Sequence, residues 1–212
     1  MKKQAFSISE LLITLAVIAV ITVILLPGLV KMTPDKKKMT IINAHSKIVK
    51  TVEQILDDDS IYNCPEDSEN EGFACQDKPD SVEFNDNIYS GDTKFEQIVA
   101  YKLGLKETND SEDLKWKESN GSTWDFEKKG DNNSAYYIIT IDTDGKKGSN
   151  KYYGENNTTK PDRFRFKVNN YGGVIGYDAM TEAYLRNSLK LNASEEDEKT
   201  AAKIAKTKKY NK

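Results

Sequence analysis

The hydrophobic pattern of the chain begins with a continuous apolar run. Residues 11–26 contain only two polar side chains, Thr14 and Thr22, and the apolar character extends to Val30. About 20 consecutive apolar residues are enough for a helix to cross a bilayer. The first part of the chain therefore predicts a membrane-spanning helix.

Helical periodicity replaces the continuous run after Pro34, in the segment "KKKMTIINAHSKIVKTVEQILDDD". Apolar residues recur there at intervals of seven in two adjacent rows, which are Ile41, Ile48 and Ile55, and Ile42, Val49 and Leu56. Such a stripe predicts an amphipathic helix with one buried face. Joined to the apolar run, it predicts one continuous helix from Phe6 to Asp57, roughly 80 Å long at 1.5 Å per residue.

A strand pattern dominates the second half of the chain. Four segments either alternate apolar and polar residues or are rich in β-branched and aromatic residues. They are "STWDFEKK" at 122–129, "AYYIITIDT" at 135–143, "DRFRFKV" at 162–168 and "GGVIGYD" at 172–178. They predict three or four antiparallel strands, with further helices at 93–105 and 179–191. The predicted fold class is α+β, with the long N-terminal helix packed on a small antiparallel sheet.

Composition and charge narrow the function classes. The 212 residues carry a formal net charge of -3 and have a mean hydropathy of -0.69, which describes a polar body with one apolar end. That charge does not predict nucleic-acid binding. His45 is the only histidine, which excludes two-histidine metal sites, and no phosphate-binding or nucleophile motif is present. The sequence predicts a protein that is not an enzyme, with His45 packed on the helix.

Two common interpretations of the N-terminus leave features unexplained. A cleaved secretory signal has an apolar core of roughly 7–15 residues and a small-residue cleavage site after it, whereas here the core is longer and Pro-Gly-Leu-Val-Lys follows. An uncleaved single-span anchor fits the length of the run. It leaves Glu10 unexplained, although a charge in the centre of a span costs roughly 2.5–3.5 kcal/mol.

Residues 5–10, Ala-Phe-Ser-Ile-Ser-Glu, with the apolar run that follows them, resemble the class III leader of type IV pilins and pseudopilins. In that family a prepilin peptidase cuts before the apolar segment, the first mature residue is usually an N-methylated Phe, and a Glu stands fifth. The resemblance implies cleavage between Ala5 and Phe6, methylation of Phe6 and a role for Glu10 in subunit assembly. The family normally has Gly where this chain has Ala5.

The resemblance also implies a reason to keep Glu10. The cut exposes an α-amine on Phe6, and a carboxylate attracts an amine far more strongly at low dielectric than in water. Glu10 of one subunit would neutralise the amine of a neighbour in the filament. Pairing of Glu10 within its own chain is the alternative.

The implied function is that of a structural subunit of a helical envelope filament for secretion, adhesion, DNA uptake or motility. Its implied partners are homologous subunits, the prepilin peptidase, an inner-membrane assembly platform and membrane lipid. The implied location is the inner membrane, as a single-pass protein with its globular domain outside the cytoplasm, and then a periplasmic or cell-surface filament. The lysines at 31 and 36–38 favour the opposite orientation by the positive-inside rule. The alternative is an uncleaved anchored protein with an extracytoplasmic binding domain.

The predicted organisation has five parts. They are a leader peptide (1–5), a transmembrane or filament-core helix (6–30), the amphipathic second half of the long helix (31–58), a pilin-like globular α+β domain (59–193) and a charged C-terminal tail (194–212). The tail is acidic at its start and rich in lysine afterwards, which predicts a solvated, frayed helix. Acidic, turn-rich residues 57–94 and polar residues 106–121 predict loops.

Cys64 and Cys75 are the only cysteines. Because the leader would send this region out of the cytoplasm, a disulfide between them is predicted. It would contribute on the order of 3 kcal/mol in the chain-entropy account. Two reduced thiols are the alternative.

Oxygen-bearing side chains crowd the segment between the second and third predicted strands. Asp142, Asp144 and Asn150 lie in it and Asp162 ends it, which suits a hard cation such as Ca²⁺. The segment is similar to a D-x-N-G-x-K-G-P-N…G-x-D-x-F-x-F pattern of pilin-like proteins of gut bacteria, with Asp144 in place of Asn and Ser149 in place of Pro. A turn whose carboxylates accept backbone N–H groups is the alternative. The sequence leaves a calcium site and a metal-free turn both open.

Overall fold

The structure, a computed structural model, describes residues 7–32, 35–62, 72–74, 81–84, 87–90, 93–108, 114–130, 134–145, 147–190 and 195–210. It confirms the α+β class, because the described part of the chain contains helices and a six-stranded antiparallel sheet. Ala5, Phe6, Cys64 and Cys75 lie outside the described residues. The cleavage site, the methylation site and the disulfide therefore stay predictions of the sequence.

Two helices, rather than one, form the N-terminal part. Helix α1 covers Ile8–Met32 and helix α2 covers Lys36–Leu56. Asp35 is extended, and its carboxylate accepts two backbone N–H groups from the first turn of α2, at 2.8 and 3.1 Å. The predicted continuous helix is therefore wrong. Pro34 lacks an N–H group and disfavours helical geometry in the residue before it, and Asp35 then caps a new helix.

Eight strands lie in the described residues. They are β1 (Ser81–Phe84), β2 (Asn87–Ser90), β3 (Lys106–Glu107), β4 (Trp116–Lys117), β5 (Thr123–Lys129), β6 (Tyr136–Asp142), β7 (Arg163–Asn169) and β8 (Val174–Gly176). β1 and β2 form a separate hairpin, and β3 to β8 pair with their neighbours in chain order to form one antiparallel meander. The four predicted strands are confirmed as β5 to β8. β1 to β4 are missing from the prediction because two to four residues in polar surroundings show too little alternation.

The core lies between α2 and the inner face of the sheet. Ile41, Ile48 and Ile55 of α2 are fully buried, which confirms the first row of the predicted stripe. The second row, Ile42, Val49 and Leu56, is only half-buried. On β7 the alternate residues Phe164 and Phe166 are equally buried and face the same core. Each fully buried side chain of this kind contributes about 1.5–3 kcal/mol relative to an exposed one, so α2 is held by its packing.

Two short helices complete the body of the domain. α3 covers Lys94–Lys102 and α4 covers Ala179–Arg186. α4 lies over the edge strand β8, where a Cβ on Gly176 would come within 2.6 Å of the Glu182 backbone nitrogen. A glycine at this point lets α4 approach closely enough to cover the strand.

The C-terminal segment forms helix α5, Glu195–Tyr210, as the sequence predicts. The prediction that this helix is solvated is wrong. Its Asp197, Ala201 and Ile204 side chains, spaced by four and three residues, are 3%, 0% and 7% exposed. This spacing places them on one face, and α5 packs against α4.

Candidate functional site

The N-terminus of α1 carries the first predicted site residue, Glu10. The Glu10 Oε2 accepts the Ser7 N–H at 2.9 Å and the Ser7 hydroxyl at 3.1 Å, and the Glu10 N–H donates to Ser7 Oγ at 3.2 Å. This reciprocal pattern is a capping box. The motif Ser-x-x-Glu is visible in the sequence, so Ser7 is a site residue that the sequence could have disclosed.

The surface of α1 is apolar all round and uncovered. The side chains described on α1, up to Ile24, all lie exposed, with Ile8 at 82% and Val23 at 73%. The hydroxyls of Thr14 and Thr22 donate to carbonyl oxygens of α1 itself at 2.9 and 2.7 Å, so they do not interrupt the apolar surface. Within the described residues no helix is both long enough and apolar enough to cross a membrane, so the predicted span is not confirmed.

Asp162 is the hub of the loop between β6 and β7. Its side chain accepts four hydrogen bonds, from the N–H groups of Ser149, Asn150 and Lys151 at 2.6, 2.9 and 2.7 Å and from the Ser149 hydroxyl at 3.0 Å. Burial acts to raise the pKa of Asp162, but these hydrogen bonds outweigh it and hold the pKa below its ordinary value. These are the contacts expected of a metal-free turn whose carboxylate accepts backbone N–H groups.

The Asp142 carboxylate pairs with an arginine instead of with backbone N–H groups. Its carboxylate is fully buried, and its Oδ2 accepts the Nε–H of Arg163 at 2.9 Å. Burial raises the pKa of Asp142 to about 6, against the opposing effect of Arg163. Arg163 lies next to Asp162 in the sequence, but its side chain binds Asp142. The strand pattern alone does not reveal this contact.

Asp144 and Asn150 complete the predicted set and are less well satisfied. Asp144 Oδ1 is buried without a hydrogen-bond partner among the described residues. The Asn150 amide donates to Asp142 Oδ2 and to the Gly145 carbonyl, at 3.2 and 3.0 Å, only if its nitrogen faces them. With the oxygen facing them, three acceptors would converge, an arrangement that a cation satisfies.

The four predicted metal ligands thus lie in one loop but form two separate arrangements. Among the described residues, no three His, Cys, Asp or Glu side chains are grouped closely enough to bind a metal ion. Asp162 and Asp142 have partners in the chain, whereas Asp144 has an unpaired oxygen. Calcium binding at this loop therefore stays a prediction, and the described hydrogen bonds favour the turn.

A buried ion pair that the sequence did not predict lies where α2 begins. Lys38 is fully buried, and its Nζ donates to Asp197 at 2.8 and 3.0 Å. Asn187 donates to the same carboxylate at 2.8 Å, and the Lys38 Nζ lies 5.6 Å from the centre of the Tyr184 ring. The pair joins α5 to the first turn of α2.

His45 occupies the packed position that the sequence predicts. Its Nε2 lies 3.4 Å from the Val174 carbonyl oxygen, and its ring lies 5.9 Å from that of Phe166. No carboxylate or nucleophile among the described residues forms a hydrogen bond with it.

Comparison of the chain with protein-family models, curated proteins and solved structures gave no match.

Proposed function

We propose that the chain is a type IV pilin-like or pseudopilin structural subunit, cut by a prepilin peptidase and assembled into a helical envelope filament. The observation that carries this proposal is the order of Ala5, Phe6 and Glu10 directly before a long apolar run of the sequence. A surface repeated head to tail with a rise along an axis builds an open filament.

The exposed surface of α1 supports a role in assembly. A helix that is apolar on all sides is stable in water only when something covers it, and large exposed apolar patches mark interaction sites. Leu11, Leu15 and Ile18 lie on one side of α1 and Ile13 and Val20 on other sides, and each is about half exposed or more. The partner that we propose is first membrane lipid in the inner membrane and then α1 of neighbouring subunits.

In this proposal Glu10 has two partners, one after the other. Before assembly the carboxylate binds Ser7 of its own chain. After cleavage the new amine of a neighbouring Phe6 competes for it, and a charged partner gives the stronger hydrogen bond. We propose that Ser7 holds Glu10 until the neighbour arrives.

The alternative function is an uncleaved inner-membrane anchor with an extracytoplasmic binding domain. The test is the intact mass of the chain purified from cells with and without an active prepilin peptidase. Our proposal expects loss of residues 1–5 and one added methyl group only where the peptidase is active, and equal processing of the Ala5→Gly variant. An N-terminus that begins at Met1 in both strains would leave the anchor as the better account.

We also propose that the chain acts by assembly and not by catalysis. His45 is engaged in packing, and the acids of the β6–β7 loop bind Arg163 and backbone N–H groups. Neither arrangement joins a nucleophile to a base, which acyl-transfer chemistry requires. Hydrolysis of a common ester or peptide substrate by the purified chain would contradict this proposal.

A further inference from the structure

Two parts of the chain that are distant in sequence meet at the first turn of α2. The end of the β6–β7 loop reaches it, since the Lys37 Nζ donates to the Pro161 carbonyl oxygen at 3.3 Å. The start of α5 reaches it through the buried pair of Lys38 and Asp197. Together they enclose a cleft of about 540 Å³, which we call the neck cleft.

The neck cleft combines both signs of charge with an apolar wall. Its lining consists of Asp35, Lys36, Lys37, Thr159, Lys160, Pro161, Met180, Tyr184, Glu195, Asp197 and Glu198. Lys36 and Lys160 are exposed, and within the described residues neither forms an ion pair. On the acidic side Glu198 is half-buried without an ion pair in that part of the chain, and Glu195 meets only the exposed Lys199, at 3.5 Å.

The position of the cleft limits what can reach it. Asp35 follows the last residue of α1, Met32, by three peptide units, which span at most about 11 Å. If α1 lies in a bilayer, as the proposed function requires, the neck cleft stands at the level of the lipid headgroups. Its volume lies within the range of roughly 300–1,000 Å³ that is usual for small-molecule sites.

We propose that the neck cleft binds the headgroup of a phospholipid that carries a phosphate and a primary ammonium. The phosphate binds Lys36 and Lys160, and the ammonium donates hydrogen bonds to Glu195 and Glu198. A free anion gains only the lysines and is repelled by the glutamates. A headgroup with three N-methyl groups lacks the N–H donors that the glutamates accept.

The experiment uses the full chain in detergent and counts bound lipid by native mass spectrometry. The probes are short-chain phosphatidylethanolamine, phosphatidylcholine and phosphatidylglycerol, and inorganic phosphate. We expect one phosphatidylethanolamine per chain, bound roughly tenfold more tightly than the other three, because only its ammonium donates charge-assisted hydrogen bonds to the glutamates.

Two double variants test the two sides of the cleft. Lys36→Ala with Lys160→Ala, and Glu195→Gln with Glu198→Gln, should each weaken phosphatidylethanolamine binding roughly tenfold. The matched control is Lys106→Ala with Lys117→Ala, two exposed lysines that line another cleft, of about 480 Å³, together with Glu107 and Glu118. The control should bind as the unchanged chain does. The substituted side chains are exposed apart from the half-buried Glu198, which is only changed to Gln, so each variant should keep its melting temperature.

Three results would overturn this inference. Equal binding of phosphatidylethanolamine and phosphatidylcholine would mean that the ammonium is not recognised. Equal loss in the Lys106 and Lys117 control would mean non-specific attraction, and competition by inorganic phosphate at the same concentration would make the cleft a site for free phosphate. The inference rests on the proposed function, but the two fail separately: an uncut chain that binds the headgroup refutes only filament processing, and a cut chain that does not bind refutes only the cleft.

Discussion

Helices α1 and α5, at opposite ends of the chain, contradict what their compositions suggest. α1 is almost entirely apolar, yet its described side chains are all exposed, and its one acid binds only Ser7. α5 is mostly charged, yet one of its faces is buried and its Asp197 pairs with a fully buried lysine. The chain buries one face of α5 by itself, whereas the described side chains of α1 lie uncovered.

Burial of these two helices depends on the partners available to each side chain rather than on mean hydropathy. A charged residue is buried at acceptable cost when its partner is fixed in place and its remaining hydrogen bonds are met. Asp197 meets that condition through Lys38 and Asn187. An apolar helix gains nothing from its composition until a bilayer or a neighbouring subunit surrounds it.

The largest expected effect comes from removing the partner that α5 supplies. Asp197→Ala leaves Lys38 buried and unpaired, which costs about 3–5 kcal/mol and lowers the melting temperature by roughly 10 °C. Chemical and thermal unfolding of the full chain in detergent measure this. Lys38→Met combined with Asp197→Leu should recover most of the loss, since an apolar pair of similar volume replaces a buried ion pair well.

The matched control for Asp197 lies one residue earlier. Glu196 pairs with Lys190 at 2.8 Å, but both side chains are more than half exposed. Glu196→Ala should therefore lower the stability far less than Asp197→Ala does, because solvent screens an exposed ion pair. If Asp197→Ala proves no more destabilising than Glu196→Ala, then α5 is not held by its buried acid.

The corresponding change in α1 tests whether Glu10 needs a neighbour. Glu10→Gln keeps the capping box, because Gln serves at that position as well, but removes the charge. If the carboxylate pairs with a neighbour's amine in a dry filament core, the loss of this pair should reduce incorporation into filaments by more than about 100-fold. The measurement is the ratio of subunit in sheared filaments to subunit in the membrane.

Ser7→Ala provides the opposite control in α1. It removes the cap, worth about 0.5–2 kcal/mol to the helix, and keeps the Glu10 charge. We expect this variant to assemble far better than Glu10→Gln. Normal assembly of Glu10→Gln would show that the acid serves the helix alone, and α1 would then resemble α5 in satisfying its own charge.

A smaller effect is expected in the β6–β7 loop, where Asp142 is satisfied by the chain at some cost. Because its folded-state pKa of about 6 lies above the ordinary value of 3.8, the stability that its protonation contributes is present below pH 4. That stability is lost as the pH rises to about 6. Asp142→Asn should abolish this fall, which is on the order of 3 kcal/mol, in urea unfolding at successive pH values.

Asp162 should respond with the opposite sign. Its pKa lies below the ordinary value, so its contribution is present above pH 4 and is lost as the pH falls further. Asp162→Asn should therefore flatten the acid limb below pH 4. It should reduce the fall between pH 4 and 6 only slightly, because the Asp162 charge is the smallest of the causes that act on the pKa of Asp142. Identical profiles for the two variants would refute the assignment of separate roles.

The smallest expected effect is that of calcium on the same loop. If the turn is complete without metal, excess chelator should shift the melting temperature of the full chain by less than about 1 °C. A bound ion at 100 times its dissociation constant would instead add about 2.7 kcal/mol. A rise with calcium that Asp144→Asn abolishes, but Glu155→Gln in the same loop does not, would establish a metal site.

What the sequence predicted well is what local pattern controls. The buried stripe of α2 follows from residues seven apart, and β5 to β8 follow from alternation within single segments. The break before α2 was open to prediction as well, because Pro34 and the capping Asp35 are both local signals. The capping box of Ser7 and Glu10 could also have been predicted from the sequence.

What the sequence could not predict depends on partners that are distant along the chain. Lys38 and Asp197 are 159 positions apart, and each stands in a segment so rich in charge that nothing distinguishes it from its exposed neighbours. Arg163 likewise looks like one of several charges on the outer face of β7, although it binds Asp142. Long-range pairing of this kind leaves no periodicity for a pattern to show.

The pairing of Lys38 with Asp197 also orders events during synthesis. At roughly 5–20 residues per second, the ribosome reaches Asp197 about 8–30 s after Lys38. Throughout that interval the growing chain contains Lys38 but lacks the carboxylate that pairs with this lysine in the folded core. A chain that stops before Asp197 therefore keeps Lys38 without its partner, which exposes incomplete products to proteolysis.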